Sequence, residues 1–204
     1  MERVRLATYF GAAGIVSAWV TIFVSAFLNP WFSVFSNALS DLGGGNMTLN
    51  GHPSPNLPLI YNLGMIFTSV MIMVFSAVMI SISRNKIEST GESFFIIAGL
   101  FLALIGIYHE GTYPHDFVSI WFFILSSISY VTIGIGLSIS ELRSYGLVII
   151  VVILVSWILY LLIPWGSVAE DEIFGIAVID LLVAIHLISE SKHKLRSSSK
   201  TYNK

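Results

Sequence analysis

The sequence predicts an all-α, polytopic integral membrane protein: a bundle of six transmembrane helices with both termini cytoplasmic. Three observations predict it. Of the 204 residues, 55% are hydrophobic and only 11% are charged, with a mean hydropathy of +0.84, whereas a soluble domain carries roughly 25% charged residues. Six apolar runs are long enough, or nearly so, to cross a hydrocarbon core of about 30 Å at about 1.5 Å per residue. All ten Lys and Arg fall at the ends of the chain or in alternate connections between those runs.

The runs lie at about 7–28, 58–82, 94–110, 116–140, 145–164 and 172–189, in a single membrane domain covering 1–204. Each is continuously apolar, where a barrel strand would alternate, so helices are expected. The first run follows a basic start, as a signal peptide would. It is longer than a signal core and no small-x-small cleavage site follows, so it is read as a retained helix. Within it, Ala7, Gly11, Gly14, Ala18 and Ser25 form a seam of small residues. Such a seam lets helices approach closely in lipid, here within the bundle.

Orientation follows from charge. Arg3 and Arg5, Arg84 and Lys86, Arg143, and the tail residues Lys192, Lys194, Arg196, Lys200 and Lys204 share one side, while the loops 29–57, 111–115 and 165–171 carry no cation. The positive-inside rule places the basic side in the cytoplasm and makes this a multi-pass protein of the cell membrane. A net charge of −2 with scattered cations gives no footprint for nucleic acid. There are no cysteines, so disulfides and thiolate metal sites are excluded.

The opposite face carries Asp41, His52, His109, Glu110, His115, Asp116, Glu170, Asp171 and Glu172 at or near the helix ends. The first outer loop, 29–57, opens with Pro30-Trp31-Phe32, aromatics suited to the headgroup region. A short helix over about 31–42 would place Asn37 and Asp41 on one face. Gly43-Gly44-Gly45 ends it, and the loop is expected to fold back over the helix ends. Asn46-Met47-Thr48 is an N-glycosylation sequon on the same side.

The densest polar segment is His109-Glu110-Gly111-Thr112-Tyr113-Pro114-His115-Asp116, between spans three and four. Two imidazoles and two carboxylates in one tight turn can hold a divalent metal such as zinc, which can activate water against an ester or amide. In that reading His109 and His115 are the ligands and Asp41 or Glu110 is the general base, with Ser40 and His52 approaching from the first loop. The simpler reading has Asp116 favouring the N-terminus of span four and His115 capping it. Ser167-Val168-Ala169-Glu170 matches a capping box for span six.

Asp180 lies nine residues beyond Asp171, about 13 Å deep, and should face the interior with a partner such as Asn62, or a Ser or Tyr from another span. His186, rotated about 240° from Asp180, does not share its face. It reads as a satisfied interior or interfacial histidine.

Asn37-Ala38-Leu39-Ser40-Asp41-Leu42-Gly43, Ile60-Tyr61-Asn62-Leu63-Gly64, Gly106-Ile107-Tyr108, Pro114-His115-Asp116 and Trp121-Phe122-Phe123 together resemble the membrane family known as domain of unknown function 998. The resemblance covers nearly the whole chain. It implies six spans, no assigned activity, and a grouping of Ser40, Asp41, Asn62 and His115. A fainter similarity links the chain to the alkaline ceramidase and adiponectin-receptor superfamily, which uses Ser, Asp and three His around zinc. Here Asp180 and His186 stand where that superfamily has a paired-histidine motif. DRAM-type proteins also place a Ser-Asp-Leu-Gly-like segment after span one.

Three functions follow as expectations. The first is binding of a membrane-lipid headgroup or similar amphiphile in a polar pocket on the extracytoplasmic face, drawing on Ser40, Asn37, Asn62, His52, Asp116 and Asp180. The second adds zinc and becomes a membrane hydrolase. The third is a transporter or complex subunit using Asp180, with no internal repeat to favour transport.

Overall fold

The computed structural model describes residues 2–44 and 51–202, with side chains described as far as 193. Among these, six helices account for the six apolar runs: α1 (Glu2–Leu28), α2 (Pro58–Ile80), α3 (Lys86–Ile107), α4 (His115–Ser138), α5 (Arg143–Leu162) and α6 (Val168–Tyr202). All six are long and apolar enough to cross a membrane, α6 over Val168–His193. The all-helical expectation therefore holds. The sequon at Asn46 lies outside the described residues.

Consecutive helices pack side by side, and α6 returns against α1 to close the ring. The small-residue seam of α1 does what lipid packing asks of it. Gly11 sits against Phe75 and Leu187, and Gly14 against Met71 and Ile72, so the seam serves packing inside the bundle. Helices α3 and α4 approach most closely around Gly91 and Gly136. A Cβ on Gly91 would press on the Ile133 backbone, and one on Gly136 on the Glu88 backbone. α5 buries only Gly146, Ile149 and Ile153, leaving most of its Val, Ile and Leu side chains facing outward.

Side-chain bonds fix which loops share an end. Arg3 Nη1 donates to Ser81 O (3.0 Å), joining the start of α1 to the end of α2. Arg84 reaches Glu190 of α6 and, from 3.6 Å, Glu141 of the α4–α5 connection. Both ends of the chain's helical ring therefore lie at one end of the bundle, here the termini-bearing end.

At the opposite end the first loop folds back over the helices, as expected. Asn29 is wholly buried and exchanges bonds with Asn56: Asn56 N donates to Asn29 Oδ1 (2.6 Å), and Asn29 Nδ2 donates to Asn56 O (3.3 Å). The loop stem is thereby pinned. Beyond it, Ser167 Oγ donates to Val34 O, Ala169 N donates to Asn37 O (2.8 Å) and Leu39 N donates to Glu172 Oε2 (2.7 Å). These tie the first loop to the start of the last helix.

Two expectations are corrected. The loop helix spans only Leu39–Leu42, as one 3-10 turn, because Ala38 is extended (φ −98°, ψ 152°) and the Asn37 side chain accepts from Ser33 N (2.9 Å). The third helix starts at Lys86, not at 94. Asn85 caps it by accepting from Glu88 N (3.0 Å), so two more turns are helical and carry Glu88 and Glu92 into the bundle.

Candidate functional site

Polar side chains are buried at both ends of the bundle. At the end opposite the termini, the 3-10 turn carries Ser40 and Asp41 under the loop, where both are buried. Asp41 Oδ2 accepts from Ala38 N (3.0 Å) and Asn37 Nδ2 (3.2 Å), and Asp41 Oδ1 lies 2.9 Å from His52 Nε2. His52 stacks on Trp31, with ring centroids 4.4 Å apart and planes 9° apart. Asp41 is thus a structural tie between the two halves of the loop.

Ser40 turns the other way. Its Oγ donates to Glu110 Oε2 (3.1 Å), and the same oxygen lies 3.3 Å from His115 Nε2. His115 Nδ1 faces Tyr108 O (2.6 Å), which requires Nδ1 to carry a proton. Ser119 Oγ is 3.4 Å from the same Nε2. The carboxylate sits between Ser40 and the imidazole, the reverse of a hydrolytic triad, in which the imidazole takes the serine proton.

The remaining expected residues fall elsewhere. His109 Nδ1 pairs with Glu110 O (2.9 Å) at the rim and does not join His115 in a common donor set. Asp116 is exposed in the first turn of α4, where a negative charge suits the helix N-terminus. Asn62 donates to Gly43 O (3.0 Å), at a crossing so close that a Cβ on Gly43 would overlap Asn62 Oδ1. Asp180 therefore pairs neither with Asn62 nor with a Ser or Tyr: Trp19 Nε1 of α1 donates to its Oδ2 (2.7 Å). Ser167 caps α6 by accepting from Glu170 N (3.2 Å), while the Glu170 carboxylate reaches back to Gly166 N (2.7 Å).

Two cavities adjoin these groups. A narrow one of about 70 Å³ runs down the bundle axis from Ser40, Ser119 and Glu172 past Asp180 to Phe75 and Phe95. A larger one of about 310 Å³ lies between α4, α5 and α6. Phe123, Ile153, Trp157 and Ile179 line its length, and Tyr160, Asp171 and Glu172 stand at one end.

At the termini-bearing end lies a second cluster that sequence reasoning did not find. Glu88 and Glu92 of α3, His186 and Glu190 of α6, and Arg84 are brought together there, all four α3 and α6 residues being buried. Arg84 donates from Nη1 to Glu88 Oε1 (3.0 Å) and Glu190 Oε1 (2.7 Å), and from Nη2 to Glu190 Oε2 (2.8 Å). Burial alone would lower the guanidinium pKa, but the Glu190 hydrogen bond and the charges of Glu190, Glu88 and Glu141 raise it above its ordinary value. Arg84 is permanently charged. His186 is interior, as expected, but neither ring nitrogen has a hydrogen-bond partner. The signals that could have revealed the cluster are the Asn85-x-x-Glu88 cap pattern and the i, i+4 pairs Glu88/Glu92 and His186/Glu190.

Six apolar helices of spanning length around buried polar ends define a multi-pass α-helical membrane protein. The chain belongs to the family described as "Protein of unknown function (DUF998)", which it matches over residues 12–189. No curated protein and no solved structure matches it. The match carries the first of the resemblances noted in the sequence and does not extend to the ceramidase-like or DRAM-type proteins.

Proposed function

We propose that this protein binds a membrane amphiphile, with the apolar tail in the cleft between α4, α5 and α6 and the head at its acidic end. The observation that carries the reading is the lining of the 310 Å³ cleft. It is apolar along the helices and ends on Tyr160, Asp171 and Glu172, with Ser119 nearby. Pockets of about 300 Å³ and above, mostly apolar with a few convergent polar groups, are the usual form of small-molecule sites. Carboxylates at the mouth favour a head that donates hydrogen bonds, an amine or a polyol, over an anionic one. By the distribution of Lys and Arg, the termini-bearing end is cytoplasmic and the head lies at the extracytoplasmic face of the cell membrane.

Purified protein carried from vesicles into native mass spectrometry tests this. Vesicles of phosphatidylethanolamine and phosphatidylglycerol in equal parts should leave a retained adduct of the amine-headed lipid. Ser156→Trp, which fills the cleft, should abolish the adduct without unfolding the protein. Equal retention of both lipids, or an unchanged adduct in Ser156→Trp, would refute the assignment.

A further inference from the structure

At the termini-bearing end, Glu88 and Glu92 stand one turn apart on α3 and face His186 and Glu190, one turn apart on α6. One ligand atom each from Glu88, His186 and Glu190 lies within 4.8 Å of the others, a set found nowhere else among the described residues. His186 Nε2 is 3.9 Å from Glu88 Oε1 and 4.0 Å from Glu190 Oε1, and Nδ1 is 3.3 Å from Glu92 Oε1.

Distances of 3.9 and 4.0 Å exceed the roughly 3.2 Å of a hydrogen bond. They fall within the span of about 4.2 Å that an ion bound at about 2.1 Å to each of two ligands can bridge.

Two further observations point to a cation at this cluster. His186 and Glu92 are both 0% exposed and face each other at 3.3 Å, but neither ring nitrogen has a well-aligned hydrogen bond and Nε2 has no atom closer than 3.9 Å among the carboxylates it faces. A buried imidazole and carboxyl left this way are costly unless something else satisfies them. Ionised, the three carboxylates of Glu88, Glu92 and Glu190 carry three negative charges against the single positive charge of Arg84. Even with His186 protonated the cluster is short by one positive charge in a low-dielectric setting, and with a neutral imidazole by two. Ser76 is buried beside Glu92, and the buried Tyr130 ring stands edge-on to His186.

We propose that Glu88, His186 and Glu190 bind a divalent first-row transition metal ion on the Nε2 side of the imidazole, with Glu92 facing Nδ1 and orienting the ring. One imidazole among carboxylates suits zinc or manganese better than calcium or magnesium, which take oxygen alone, or copper(I), which takes sulfur. Arg84 is the competitor built into the site. Its Nη1 bridges the same Glu88 Oε1 and Glu190 Oε1 that the ion requires. When the ion enters, the guanidinium swings toward Glu141, whose half-exposed carboxylate already lies 3.6 Å from Arg84 Nε. The site is remote from the amphiphile cleft and stands or falls independently of it.

Chelator-stripped protein in detergent, titrated with zinc, manganese, magnesium or calcium alone, tests the proposal by calorimetry and thermal shift. Zinc or manganese should bind with one ion per chain and raise the melting temperature, while magnesium and calcium should not. His186→Gln removes a direct ligand and should weaken binding by more than the about 10- to 100-fold typical of losing an outer-shell partner, Arg84→Gln should tighten it, and His109→Ala should leave it unchanged. Wild-type protein that binds neither zinc nor manganese with a Kd below about 1 mM overturns the proposal whatever the variants do. Equal binding by wild type and His186→Gln also overturns it, since the ion would then be held elsewhere.

Discussion

Arg84 and Glu190, 106 positions apart in the chain, meet through two parallel hydrogen bonds of 2.7 and 2.8 Å. The fork-to-fork geometry uses both oxygens of Glu190 and leaves Nη1 free to hold Glu88 as well, so one side chain from a connection clamps α3 to α6. Removing one partner of a buried pair leaves the other charge uncompensated, which costs about 3–5 kcal/mol. Arg84→Met should lower stability by that amount in detergent unfolding experiments. The double variant Arg84→Met with Glu190→Leu should lose less than the two single variants added together. Strict additivity would mean that the two residues do not act as a pair.

Trp19 and Asp180 form the second long-range tie, between α1 and α6 at 2.7 Å. A hydrogen bond to a group of this kind contributes about 1.5–3 kcal/mol when charged and about 1 kcal/mol when neutral. Trp19→Phe and Asp180→Leu should each destabilise the protein, and a double-mutant cycle should show a coupling of at least about 0.5 kcal/mol. A coupling of zero would assign Asp180 a partner other than Trp19.

Gly43 and Asn62 lie at a crossing with no room for a side chain on the glycine. Gly43→Ala should cost about 1–3 kcal/mol through overpacking. Asn62→Ala opens the space at the expense of the bond to Gly43 O, so the pair of substitutions together should cost less than their sum. The melting temperature of the four proteins decides it.

The chain has no cysteine, so single-cysteine labelling reads sidedness without background. Ser83→Cys and Thr112→Cys should be labelled from opposite faces of intact vesicles, with Ser83 on the face shared by the termini. Labelling of both from one face would contradict the order of helices described above.

The sequence disclosed the six helices because bilayer solvation demands long continuous apolar runs, and those runs are written residue by residue. It also disclosed that the first loop folds over the helix ends, since Trp31 and Phe32 cannot remain in water cheaply. The pairing of Asn37 with Asp41 was legible from their i, i+4 spacing even though the helix proposed to carry it is only the turn Leu39–Leu42. What was not legible is who meets whom between helices. Trp19 for Asp180, and Glu110 for Ser40, depend on helix rotation, which no single apolar run specifies.

The buried cluster at the termini-bearing end was missed for a different reason. Charged residues near the start of α3 looked like a connection, because hydropathy alone cannot distinguish a polar loop from a helix turn whose polar face is buried. The Asn85 cap was the available evidence against that reading.

The bonds from Val34, Asn37 and Leu39 to residues 167–172 bear on how the protein is made. A ribosome delivers the first loop more than a hundred residues before its partners, and the same holds for Arg84 waiting on Glu190. Until the last helix emerges, a growing chain shows open polar groups at both membrane surfaces, marks that a quality-control protease can read. Chains stopped at 165 should therefore be degraded faster in cells than chains that continue through residue 204, and pulse-chase labelling would measure the difference.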